Sequence, residues 1–218
     1  MDFHVWLAYF AAAWVIALSP GSGAVLSMTH GLAYGVRATS ATIAGLQIGL
    51  AVVLLVAGVG VGALLVASTT AFTVVKVVGA AYLIWLGWRQ WVSPVAPGTP
   101  DKGTVSATGA GTSGTATVRS RLLLGFLTNV TNPKGIVFMV AVLPQFIDPQ
   151  RPLWLQLLVL LATTICVDVA VMHGYAFLAS RAQRRLATVR ARRAQNRVFG
   201  SVLMAMGASL FMIKRAAG

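Results

Sequence analysis

The stretch LLLGFLTNVTNPKGIVFMVAVLP, residues 122–144, decides how this chain folds. It is a largely apolar run, long enough to cross a bilayer, which takes about 20 helical residues at a rise of about 1.5 Å each. Inside it, Asn132-Pro133-Lys134 breaks the helix with a proline. The same three residues put an asparagine and a lysine where polarity and charge are costly. The first hydrophobic run carries a matching interruption, Ser19-Pro20-Gly21-Ser22-Gly23. Interrupted helices at corresponding positions of two halves are the pattern of a transporter whose site lies at the breaks.

The rest of the chain agrees with a membrane setting. Of its 218 residues, 57% are hydrophobic and 10% are charged. Soluble domains carry about 25% charged residues, so this chain has too few to cover its surface toward water. It reads as a polytopic membrane protein. Six runs are candidate spans: 5–28, 39–67, 71–91, 122–146, 153–179 and 194–213. The start, Met1-Asp2-Phe3-His4, lacks the basic segment of a signal peptide, so the first run is expected to remain as a helix.

Charge decides orientation. Lys and Arg number 17 against four acids, all Asp, for a net charge of +13. Such a balance in a soluble domain points to nucleic acid. Here the cations sit in loops between apolar runs, so they read as contacts to anionic headgroups and as an orientation signal, with no nucleic-acid partner. Arg37, then Arg89, Lys102, Arg119 and Arg121, then seven arginines within 181–197 fall in alternate loops. The opposite side has Arg151 and the tail pair Lys214 and Arg215. The positive-inside rule places the first set in the cytoplasm and both termini outside.

The halves are expected at 1–92 and 121–218, joined by a flexible cytoplasmic linker, 93–120, rich in Gly, Thr, Ser and Pro. Each half has a proline-broken first helix. Each third helix opens alike, at Lys76-Val-Val-Gly79 and Arg197-Val-Phe-Gly200. Three spans per half is an odd number, so the two repeats are inverted relative to one another. The expected fold is therefore all-α: six transmembrane helices as two inverted three-helix repeats, with helices 1 and 4 broken.

The polar residues of the spans are the candidate site. Pro133 is the twelfth residue of its run, roughly 18 Å along a helix, and Pro20 is at a similar depth. Each proline frees a backbone carbonyl, and each half-helix that follows offers free N–H groups and a positive dipole end. Ser19, Pro20, Gly21 and Ser22 with Asn132, Pro133 and Lys134 are thus expected to bind substrate, the natural ligand of such ends being a carboxylate. Lys134 reads in three ways: neutralising that carboxylate, pairing with an acid, or snorkelling to an interface. Asp168 is the acid within the predicted spans. It reads as a partner of Lys134, a seat for an ammonium, or the carrier of a coupling proton. Gln47 reads as cavity-lining or as an interhelical hydrogen bond. His4 and His30 read as interface residues. Gly45 and Gly49, like Gly58 and Gly62, have the spacing of helix-packing glycines.

Other chemistries lack their residues. One cysteine, Cys166, builds no disulfide, no redox pair and no thiolate metal site. No nucleophile–base pair or metal-ligand cluster stands out, so the expectation is no enzyme, no cofactor and no metal.

Three blocks resemble the LysE/RhtB family of amino-acid exporters. They are Thr131-Asn132-Pro133-Lys134-Gly135 followed by Leu143-Pro144-Gln145-Phe146; Gly79-Ala80-Ala81-Tyr82 through Leu86-Gly87; and Ser19-Pro20-Gly21 with Gly31, Gly35, Gly45 and Gly49. The resemblance covers nearly the whole chain outside the linker. One position departs: the family usually has Pro-Gly-Pro at the first break, and here the third residue is Ser22. The resemblance implies a multi-pass secondary exporter of the bacterial inner membrane, driven by protons or another coupling ion. Its implied cargo is a neutral amino acid of the homoserine, threonine or leucine type. Export of basic amino acids or another small metabolite, and an uncoupled channel, are the alternatives. Membrane lipids are the surrounding partner, and a homo-oligomer is compatible with the sequence.

Overall fold

In a computed structural model, the described residues are 1–67, 69–93, 117–181, and positions 193–194, 196–198, 200–201, 204–205 and 207–208. Among them the regular structure is all helical. The elements are α1 (Phe3–Leu18), α2 (Ser22–Ala67), α3 (Thr69–Trp91), α4 (Val118–Val130), α5 (Pro133–Ala141), a 3-10 turn (Leu143–Phe146) and α6 (Leu153–Arg181). Most of the expected linker and much of the expected sixth span lie outside the described residues.

Both expected breaks are present. The α1 helix and the Ser22–Tyr34 limb of α2 meet at 55°, and α4 meets α5 with its following turn at 50°. The local chemistry of the second break follows from sequence. Thr131 closes α4, and Pro133 opens α5 at a position where its missing N–H costs nothing. Asn132 stands before it in extended conformation, its Oδ1 accepting the Lys134 N–H at 3.2 Å.

A third bend falls where the sequence suggested a loop. The helix runs on through Tyr34, turns at Gly35 (φ 77°, ψ 166°), and resumes as Val36–Gly60. That backbone region is open essentially to glycine alone. The Thr39 hydroxyl donates to the Gly35 carbonyl at 2.8 Å, one turn back along the resumed helix. Arg37 therefore sits on the first turn of a helix rather than in a loop.

Val36–Gly60 and Leu153–Arg181 are each long and apolar enough to cross a membrane; counting each bent pair as one span gives up to four among the described residues. The α2 helix packs chiefly on α4 and α6, while α3 lies against α5. Glycine allows the closest crossing: a methyl on Gly45 would strike the Leu122 carbonyl, and one on Gly125 would strike the Thr42 carbonyl. The contact is reciprocal, each glycine receiving the other helix's backbone. Gly87 of α3 and Gly200 meet in the same mutual way.

The α6 helix shows why one of its faces is inside. Leu160, Thr164, Val167 and Val171 are buried at three- and four-residue spacing, one stripe of a helix. The α1 helix presents Tyr9, Ala13 and Ala17 at a spacing of four. The Tyr9 hydroxyl bonds that of Thr164, and Trp6 Nε1 donates to Thr163 at 3.0 Å, joining α1 to α6. Cys166 is exposed, on the outer side of the bundle.

Ionic contacts pair the ends of the elements. Arg151 binds Asp2 at 2.7 Å and Asp148 at 3.1 Å, so the start of the chain and the segment between α5 and α6 share one face. Buried Gln156 shapes that segment: its Oε1 accepts the Asp148 N–H, and its Nε2 donates to the Asp148 and Arg151 carbonyls. At the opposite face, Arg121 of α4 lies 5.3 Å over the Tyr34 ring, beside the Gly35 bend.

Candidate functional site

The two breaks face one another across a single cavity, and α2, α4 and α6 complete its wall. It offers about 80 Å³ to the centres of water molecules, against the roughly 10–15 Å³ that one water needs. Several waters or one small polar molecule fit. Much of the lining is apolar, including Ala13, Ala17, Leu50, Phe138 and Met172. The polar lining comes from Ser19, Asn129, Asn132, Thr164, Lys134 and Asp168.

Lys134 does something the sequence did not suggest. Its Nζ donates to the Ile16 carbonyl at 3.1 Å and to the Ser19 carbonyl at 2.5 Å. Both are carbonyls at the end of α1, left without helical partners by the break. The lysine caps one broken helix from the first turn of the other, and its positive charge lies at the negative end of the α1 dipole. Tyr175 of α6 adds a third such bond, its hydroxyl donating to the Leu18 carbonyl at 2.6 Å. Gly21 lies beside the arrangement: a Cβ there would be in ordinary contact, 3.6 Å from Lys134 Cδ and 3.7 Å from Nζ.

Asp168 is held from another direction. Gln47 Nε2, on α2, donates to its Oδ2 at 2.7 Å. Among the described residues the ion pairs within 4 Å are those of Arg151, so a direct Lys134–Asp168 pair, one of the readings of both residues, is not formed. The physical reason is competition. The α1 carbonyls lie against the lysine at the break, and the Gln47 amide lies against the carboxylate. Lys134 and Asp168 are the ionisable side chains lining the cavity, and each is bound by neutral groups.

Of the other expected site residues, Ser19, Gly21 and Asn132 line the cavity. Ser19 Oγ also lies 3.4 Å from Gln90 Oε1 of α3. Pro20, Ser22 and Pro133 shape the breaks without lining the cavity. The Ser22 hydroxyl is buried with no protein partner. Gln47 stands behind Asp168, making the interhelical hydrogen bond that was one of its two readings. His30 is buried among the helices, with Nδ1 2.6 Å from the Thr42 hydroxyl.

Asn129 and Thr164 are cavity residues that sequence reasoning missed. Asn129 Nδ2 donates to the Leu46 carbonyl at 2.7 Å, fastening α4 to α2 next to Gln47. Its position, three residues before Asn132, was the available signal, since both fall near one helical face. Thr164 lies one turn before Asp168 on α6, the same kind of signal.

The model of the LysE type translocator matches residues 14–214. The chain belongs to the LysE-type translocator family. Some of its relatives cover it almost end to end. An uncharacterised membrane protein of Vibrio cholerae is 45% identical over 214 residues, 98% of this chain and 100% of the relative. The homoserine/homoserine lactone efflux protein of Salmonella typhi is 43% identical over 217 residues, 99% of this chain and 100% of the relative. A leucine efflux protein of Enterobacter sp. is 32% identical over 157 residues, 72% of this chain and 70% of the relative. No solved structure matches the chain. This LysE-type translocator is thus a membrane protein of an amino-acid efflux family.

Proposed function

We propose that the protein is a secondary active exporter of a small neutral amino acid across the bacterial inner membrane, driven by the proton gradient. The carrying observation is one small cavity, between two broken helices, that holds one carboxylate and one ammonium out of contact with each other. A zwitterion can satisfy both. Its ammonium goes to Asp168, and its carboxylate goes to Lys134 with the α5 N-terminal end and Asn132. Ser19 and Gly21 bound the same space. Pro20, Ser22 and Pro133 hold the breaks open, and Gln47 supports Asp168.

Charge balance favours a neutral cargo over a basic one. A second cationic group would find no second acid in the cavity lining. The relatives named for homoserine and leucine efflux support the same class. The matched proline breaks and the odd number of spans per half support the reading of two inverted three-helix halves, 1–92 and 121–218, around the 93–120 linker. The distribution of cations along the chain supports a cytoplasmic Arg37 and Arg121 face and an outer Asp2 and Arg151 face.

Coupling follows from Asp168 serving two ligands. A proton and a substrate ammonium cannot both occupy one carboxylate, so outward release of one accompanies inward passage of the other. The test is export of labelled amino acids from loaded proteoliposomes, with and without a pH gradient. Homoserine-class export that accelerates with the gradient and shows substrate counterflow supports the reading. Fast flux without counterflow identifies a channel, and export confined to lysine or arginine identifies a basic-amino-acid carrier.

A further inference from the structure

We infer that Gln47 is the positioning residue that reads the protonation state of Asp168, by turning its side-chain amide over when the carboxylate takes up a proton. This rests on the coupling role proposed for Asp168 and adds the residue that senses it.

The argument starts from an imbalance. Gln47 is buried, 8% exposed, and its Nε2 donates to Asp168 Oδ2 at 2.7 Å. Its Oε1 is buried with no hydrogen-bond partner. An unpartnered amide oxygen in a span is costly. The arrangement suits an ionised Asp168 best, since an ionised carboxylate only accepts, whereas a protonated one keeps an acceptor oxygen and adds a donor. A protonated Asp168 presents an O–H and needs an acceptor. Gln47 holds that acceptor on the same terminal group, 180° away about its last side-chain bond. Turning an amide over changes its shape very little, because its O and N ends are nearly the same size, and terminal torsions of this type are broad.

The step is balanced in protons. One proton adds to Asp168 Oδ2. The Gln47 Nε2–H···Oδ2 bond breaks and an Oδ2–H···Oε1 bond forms, with Nε2 turned to the place Oε1 held. No helix has to move. Lys134 is the other ionisable group lining the cavity, and it faces Asp168 from α5. It stays bonded to the Ile16 and Ser19 carbonyls, so it contributes a steady field and not the switch. Thr164, from the preceding turn of α6, is occupied by Tyr9 and by the Leu160 carbonyl. Gln47 is therefore the side chain positioned to answer a change at Asp168.

Two measurements on the purified full chain test this. The first is the infrared band of a protonated carboxylic acid, assigned to Asp168 by its loss in Asp168→Asn. In Gln47→Met, which keeps the length and removes both amide functions, the band is expected to persist about one to two pH units higher than in the native protein. That is roughly a 10- to 100-fold change in proton activity, the size of a hydrogen bond to a charged group. Gln47→Asn, whose amide is one carbon short, is expected to shift the band in the same direction and serves where the Met variant does not fold. The second is the side-chain amide NMR signal of Gln47, assigned by its loss in the same variants. It is expected to titrate together with the Asp168 band in the native protein and to stay flat in Asp168→Asn. A flat Gln47 signal while Asp168 titrates overturns the switch and leaves the coupling role standing. A native protein in which no band is lost on Asp168→Asn overturns the coupling role and the switch together.

Discussion

Lys134 shows how a residue can be found in sequence while its contacts cannot. Its place beside Pro133 in a membrane run marked it as functional, but left open a carboxylate partner, an acid or the membrane interface. The fold gives it two carbonyls of α1, because the break in one helix brings unpaired acceptors to the break in the other. Replacing it therefore has two separable effects. Lys134→Met should lower unfolding stability by about 1–3 kcal/mol, since two acceptors lose a charged donor; thermal unfolding in detergent reads this. Homoserine affinity should also fall, by about tenfold or more for loss of a charged contact, read by calorimetric titration. A stable variant with native affinity would leave Lys134 outside both roles. Asp168→Asn should abolish acceleration of homoserine export by a pH gradient while the protein stays folded, and normal coupled export would remove the proton role from Asp168.

At the scale of elements, the crossing of α2 over α4 rests on two glycines that admit no side chain. Gly45→Leu or Gly125→Leu should separate the helices that hold Gln47 and Asn129, and monodisperse protein should be largely lost in size-exclusion runs. Gly60→Ala is the control: nothing lies within 4 Å of its added carbon, so little change, or a gain of at most about 1 kcal/mol, is expected. The sequence showed these glycines as spacing alone, without saying which would touch backbone. The two proline breaks were legible because proline acts on its own helix. The Gly35 bend was not, because glycine only permits a turn, and here the limb before it must return to pack Gly31 on Ala176.

For the molecule as a whole, the arrangement of ends gives a test of orientation. In a background with Cys166 replaced, a cysteine at Asp2 or Arg151 should react with a membrane-impermeant thiol reagent added to intact cells. A cysteine at Arg37 should react only after the cytoplasmic side is opened. The reverse pattern would invert the topology without disturbing the fold, since the Asp2–Arg151 and Tyr34–Arg121 contacts fix only which ends lie together.

The sequence by itself determined the membrane class, the two breaks, the charged and polar residues near them and the family. These depend on composition, on proline's covalent geometry and on motifs, all of which act locally along the chain. Only the tertiary structure decided who partners whom: Lys134 with the end of α1, Asp168 with Gln47, Asn129 with Leu46, and the cavity left among them. Each of these contacts joins residues more than 80 positions apart. Which of several unpaired polar groups meets which is set by how the helices cross, and in this chain that is governed by glycine contacts and bends that a linear pattern does not specify.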